Sequence, residues 1–213
     1  MQIQIEHLTK RIKGVTVLDD ITYSFQGGCI YGLSGKNGCG KTMLMRSIAG
    51  LIYPTSGSVI IDGEVLGKDR SFPKSMGLLI ENPMFLRDYT GFENLRLLAK
   101  IQGGISDDAI REVLEQVGLL PDDRRKYYKY SLGMRQRLGI AAAIMGEPDV
   151  ILLDEPINAI DADGVEQIRD TIRNLIDENR IIIIACHDKE EMDYMADTVI
   201  YMSEGHIREG ENI

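Results

Sequence analysis

Gly35-Lys36-Asn37-Gly38-Cys39-Gly40-Lys41-Thr42 decides how this chain is read. Its spacing, G-x-x-x-x-G-K-T, is that of a phosphate-binding loop. The apolar run Cys29-Ile30-Tyr31-Gly32-Leu33 before it predicts a buried strand. Met43, Leu44, Met45, Ile48 and Ala49 after it predict the apolar side of a helix, stopped by Gly50. The motif therefore has the strand–loop–helix setting its chemistry needs. Gly35, Gly38 and Gly40 let the backbone curl so that N–H groups point inward at phosphate oxygens. The following helix adds the positive end of its dipole. Lys41 reaches the β- and γ-phosphates as a point charge. Thr42 offers a hydroxyl to Mg²⁺, a hard cation that takes oxygen ligands.

The remainder of the chain limits what can surround this loop. Its 213 residues suit one large domain or two small lobes, and 44% hydrophobic residues suffice for a packed core. A net charge of −9 argues against a nucleic-acid clamp, though not against a nucleotide, which needs only local positive charge. Cys29, Cys39 and Cys186 are odd in number and lack metal-ligand spacing, which points to reduced thiols in the cytosol. Met1–Ile5 alternates like a strand rather than reading as a signal peptide. No apolar run reaches the roughly 18–20 residues of a membrane span, so a membrane role is expected through a partner.

Outward from the loop, residues 1–30 alternate apolar and polar and predict a small antiparallel sheet. Val59–Ile61, closed by Asp62-Gly63, and Met76–Ile80 predict further strands. Residues 82–147 turn mainly helical. Thr90 with Glu93 has capping-box spacing, Ser106 caps a second helix, and Pro121 ends that region. Residues 122–130 read as a solvated, charged loop. From residue 149 the pattern is strand, helix, strand, helix, strand. Val150–Leu153 and Ile181–Ala185 have the continuous apolar character of central parallel strands. Val165, Ile168, Ile172, Leu175 and Ile176 between them predict a helix of about five turns. Asp188 with Glu191 caps the next. The expected class is α/β, with a mainly parallel core sheet, an N-terminal antiparallel subdomain and an inserted helical subdomain.

Asp154-Glu155 ends the first of these strands, Val150–Leu153, abruptly in two carboxylates. Ligands of parallel sheets gather at the carboxyl ends of strands. Asp154 is thus placed to hold Mg²⁺ through water, and Glu155 to face the γ-phosphate and orient an attacking water. Tyr130-Ser131-Leu132-Gly133-Met134-Arg135-Gln136-Arg137 lies shortly before that strand. Ser131 starts a helix through Ile144, with Gly133 in its first turn, and a helix N-terminus of this kind is an anion site.

This stretch resembles the signature motif of ABC ATPases, the nucleotide-binding subunits of ABC transporters. Ser131, Gly133, Gln136 and Arg137 match the motif. Tyr130, Leu132 and Met134 depart from it in a form similar to bacitracin-type exporter subunits. The resemblance covers about residues 2–208. It implies an ATPase built from a catalytic lobe (1–81 and 148–213) and a helical lobe (82–147). Two chains, two copies of this one in the simplest case, would pair head to tail. Ser131 and Gly133 of one copy would cap ATP on the Gly35–Thr42 loop of the other. His187 corresponds to the family's switch histidine and Asp161 to its D-loop, where it couples the two sites, caps the next helix, or does both. The resemblance further implies a transmembrane permease partner docked near Glu81–Tyr89, and a cytoplasmic place on the inner face of the membrane. A soluble ABC ATPase of repair, translation or cluster assembly is the alternative, disfavoured by the acidic charge and single domain. Two positions depart from the family. Glu81 stands where a Gln usually touches Mg²⁺, and Ile12 where an aromatic usually stacks on adenine.

Overall fold

The computed structural model describes residues 1–81 and 83–208; residue 82 and residues 209–213, which fall at the edges of the expected lobes, lie outside the described residues. Two sheets form the frame. β1 (Gln2–Ile12), β2 (Val15–Gln26), β4 (Ser56–Ile61) and β5 (Glu64–Val65) make an antiparallel sheet in the order β2-β1-β4-β5. The other sheet consists of β3 (Cys29–Ser34), β6 (Met76–Leu79), β7 (Val150–Asp154), β8 (Ile181–Ala185), β9 (Thr198–Ser203) and β10 (His206–Arg208). Its order is β10-β9-β3-β8-β7-β6, parallel except for the β9–β10 hairpin.

The central strands are buried along their whole length, and their side chains divide between two cores because strand side chains alternate. Val150, Leu152, Ile181, Ile183 and Ala185 face one core with Ile3, Ile5 and Phe25 of the antiparallel sheet and with Leu44, Met45 and Ile48 of α1 (Lys41–Ile48). Ile151, Leu153, Ile182 and Ile184 face the other. There they meet α2 (Gly91–Gln102), α3 (Asp107–Gln116), α4 (Leu132–Ile144) and α5 (Ala162–Asn174). A run such as Ile181–Ile184 therefore serves two packing surfaces at once, which explains its lack of polar residues.

Helix starts follow local chemistry. Thr90 and Glu93 form a complete capping box on α2. Ser106, Ser131 and Asp188 each accept an N–H bond at the start of α3, α4 and α6 (Lys189–Met195).

Two expectations need correction. The helix after Asp161 spans 13 residues, about three and a half turns rather than five. It stops at Asn174 because Asp177 turns the chain, accepting from the N–H groups of Asn179 and Arg180. The segment 122–130 is not simply a solvated loop. Tyr127 and Tyr130 are buried. Tyr127 Oη donates to the Pro83 carbonyl at 2.7 Å, and Gly91 N–H donates to Tyr130 Oη at 3.1 Å. Their rings join Phe85 in an aromatic cluster, while Tyr128 and most of the charged residues face water.

Candidate functional site

Strand register brings the site together. Leu33 of β3 pairs with Ala185 of β8, and Ala185 pairs with Asp154 of β7. Three strand ends are thus level. The glycine loop, the Asp154-Glu155 pair and His187 all emerge at this one edge, the end where parallel sheets bind ligands. Glu81 follows β6, the neighbour of β7, two residues past its end.

The loop is shaped for an anion. Gly35, Gly38 and Gly40 have φ of 151°, 81° and 114°, values open mainly to glycine. A Cβ on Gly35 would also lie 2.2 Å from the Met202 carbonyl oxygen. Lys36, Asn37 and Gly38 are exposed, whereas Cys39 and Gly40 are buried. Helix α1 starts without a side-chain cap and without an acidic residue in its first turn, so no acid of its own offsets its positive end. Lys41 is 6% exposed, and its Nζ donates to the Gly35 and Lys36 carbonyls at 2.6 and 3.4 Å. Among the described residues, no carboxylate lies within ion-pair distance of it. A buried ammonium held only by carbonyls is a strong attractor for phosphate oxygens.

Beside the lysine, Thr42 Oγ1 donates to Asp154 Oδ2 at 2.6 Å. Burial pushes the Asp154 carboxyl above its ordinary range; the Thr42 bond opposes this and the Glu155 charge adds to it. A divalent cation would relieve that burial penalty. The donor set of hydroxyl and carboxylate oxygen is the hard one Mg²⁺ takes, so these residues fit it. Glu81 Oε1 accepts from Arg46 Nη2 of α1 at 2.5 Å and is exposed.

Glu155 has φ of +50°. Its Oε2 lies 2.9 Å from His187 Nδ1, and with the carboxylate ionised Nδ1 carries the proton of that bond. Cys186 is packed behind them, its thiol pushed up to about 11, chiefly by burial. At pH 8 roughly one thiol in a thousand would be thiolate. Iodoacetamide followed by peptide mass mapping is therefore expected to label the partly exposed Cys29 in the native protein and to leave Cys186 unmodified. Comparable rates at both would contradict this packing.

Ser131 caps α4 from an exposed position, its Oγ accepting from Met134 N–H at 3.2 Å. A Cβ on Gly133 would stand 2.8 Å from the Ala159 carbonyl, so the tip of α4 and the segment after β7 pack closely. Asp161 occupies the N-cap position of α5 but makes no capping bond. Arg137 Nη2 donates to its Oδ1 at 2.8 Å instead, so the capping alternative does not hold. Ile12 ends β1, paired with Val15 at a hairpin tip, and is 39% exposed. Two neighbours of the site make contacts that carry no local sequence signal. Arg46 pairs with Glu81, and Gln136 Nε2 donates to the Glu155 and Pro156 carbonyls. Only the tertiary fold reveals either contact.

A glycine loop between strand and helix, level with two strand-end carboxylates, defines a P-loop nucleotide-binding domain. A family model described as "ABC transporter" matches residues 18–158. The chain belongs to the ABC transporter family, as an ATP-binding subunit. It is 48% identical over 211 residues to the uncharacterized ABC transporter ATP-binding protein YybJ of Bacillus subtilis, covering 99% of this chain and 97% of that one. It is 43% identical over 213 residues to the bacitracin transport ATP-binding protein BcrA of Enterococcus faecalis, covering 99% and 69%. Among solved structures it is similar to the dimeric bacterial ABC transporter cassette MJ0796. The TM-score is 0.88 at 25% identity, covering 98% of this chain and 97% of that one. The expected fold class, with its antiparallel N-terminal sheet and inserted helices, agrees with that likeness.

Proposed function

We propose that this chain hydrolyses ATP to ADP and phosphate as one half of a head-to-tail dimer, and that this drives an export permease in the membrane. The observation that carries the reading is the buried Lys41, without a carboxylate at ion-pair distance among the described residues, beside the Asp154-Glu155 strand end. The amides of Gly35–Thr42 and the α1 N-terminus bind the β- and γ-phosphates, and Lys41 exchanges its carbonyl partners for phosphate oxygens. Thr42 and Asp154, with Glu81 or its water nearby, hold Mg²⁺, which when bound neutralises charge on the phosphates. Glu155 orients the attacking water and accepts its proton; His187, fixed by Glu155 through Nδ1, turns Nε2 to the γ-phosphate. Ile12 packs against the base without stacking. Ser131 and Gly133 of a second copy close over the terminal phosphate, and Asp161 lies at the junction of the two sites. Closing the pair removes water and strengthens each contact.

The partner reading rests on a groove of about 560 Å³ lined by Pro83, Met84, Phe85, Arg87, Tyr128 and Leu132. Met84 is 92% exposed in it, a cost that a docked membrane subunit would remove. No described helix is long and apolar enough to cross a membrane. In this reading the chain acts at the inner face of the membrane through that permease. The likeness to a bacitracin transport subunit supports export. The lobe division at residues 1–81 with 148–213 and at 82–147 belongs to the same reading, since lobe rotation would carry Ser131 to its phosphate.

Phosphate release by the purified chain with Mg·ATP tests this. Specific activity is expected to rise with protein concentration, because each site needs two chains. Turnover per chain independent of concentration, in a protein that stays monomeric with ATP, would reject the composite site.

A further inference from the structure

Glu155 is held in an unusual backbone conformation. Its φ of +50° lies in the left-handed region, which residues with a Cβ occupy at a cost and keep only where their surroundings over-determine it. The surroundings here are specific. Glu155 N–H donates to the Ala185 carbonyl at 2.8 Å, fixing the amide before the turn. Gln136 Nε2 donates to the Glu155 carbonyl at 2.8 Å and to the Pro156 carbonyl at 3.1 Å, fixing the two peptides after it. Gln136 is 8% exposed, so both hydrogens of its amide are used away from water. The Glu155 carbonyl also accepts from Asn158 N–H at 3.2 Å, so removing the Gln136 donor leaves the Pro156 carbonyl without that bond and the Glu155 carbonyl with the longer one.

We infer that Gln136 is the positioning residue that sets the direction of the Glu155 carboxylate. It never touches nucleotide. The inference rests on the reading of Glu155 as the carboxylate that orients water, and adds what aims it. The location of Gln136 adds a consequence. It stands on α4 five residues after Ser131, about 7.5 Å along the axis. In the proposed dimer the tip of α4 serves the site of the other copy, while Gln136 serves Glu155 of its own chain. Gln136 also lines the groove assigned to the permease. One buried amide therefore joins the helix tip, the docking groove and the catalytic strand end. A displacement of α4 by either contact re-aims Glu155 through two hydrogen bonds. His187 bonds the same carboxylate from the other side, so re-aiming Glu155 also moves the imidazole.

The test compares wild type with Gln136→Met, close in volume and without a donor, and with Gln136→Glu, which keeps length and polarity but loses the donors at neutral pH. Phosphate release gives kcat and KM, a fluorescent ATP analogue gives affinity, gel filtration with ATP gives dimer assembly, and thermal melting reports folding. A misplacement of the reacting geometry by about an ångström costs up to roughly a hundredfold in rate. Both variants are expected to lose about ten- to hundredfold in kcat, with KM, affinity and dimer assembly within about twofold of wild type. Unchanged kcat in either folded variant would overturn the inference and leave the ATPase reading intact. Loss of affinity, dimer and melting temperature in step with kcat in both variants would also overturn it, because a packing role then suffices. A wild-type chain that binds ATP without turning it over would instead overturn the ATPase reading, and this inference with it.

Discussion

Lys41→Ala is expected to abolish measurable ATP binding by the purified chain. In the free protein its ammonium rests on the Gly35 and Lys36 carbonyls and is almost wholly buried. With ATP it would exchange those neutral acceptors for oxygens of the β- and γ-phosphates. Charge-assisted hydrogen bonds contribute about 1.5–3 kcal/mol each. Losing two of them corresponds to at least about a hundredfold in Kd. The substitution should be tolerated by the fold. It removes an isolated buried charge, and the carbonyls it leaves lie next to the exposed loop residues Lys36–Gly38, where water reaches. Titration with a fluorescent ATP analogue, beside a thermal melt, separates the two effects. Wild-type affinity in a folded Lys41→Ala protein would argue against the loop assignment.

Glu155→Gln is expected to do the opposite: to keep ATP and lose turnover. The amide preserves size and still meets His187, but it cannot take a proton from water. General-base catalysis contributes roughly 10²–10⁴ in rate, and a loss of that size in kcat is predicted. Affinity should stay close to wild type, because Glu155 supplies no attraction for phosphate and its removal relieves a negative charge beside Asp154. With hydrolysis blocked, the closed pair has no route to open. Gel filtration with Mg·ATP should therefore show a stable dimer that wild type forms only transiently. A Glu155→Gln protein that hydrolyses ATP normally would remove Glu155 from its catalytic role.

What the sequence made legible is what local chemistry controls. The phosphate loop is contiguous, and its glycines are needed for backbone shape whatever surrounds them. Thr90, Ser106, Ser131 and Asp188 were readable as caps because each bonds an N–H three residues away. The apolar strands were readable because both their faces are covered. Features that depend on distant partners were not. Asp161 looks like another cap, but Arg137, 24 residues earlier, takes its carboxylate. Tyr127 and Tyr130 sit among charges in the sequence and bury their rings only because Phe85 and the 83–91 backbone come to meet them. Arg46 and Glu81 are 35 residues apart, Gln136 and Glu155 are 19 apart, and no local pattern announces either pair.

The central claim is that one terminal phosphoryl group is reached at once by the amides of residues 35–42, by the strand-end acids and by a second copy's α4. A crystal structure of Glu155→Gln with Mg·ATP measures this most directly. The account predicts a triphosphate lying on the Gly35–Thr42 loop, its γ-phosphate in contact with Lys41 and His187 of one copy and with the Ser131 hydroxyl of the other. A triphosphate bound elsewhere, or a residue 155 side chain turned away from it, would contradict the account.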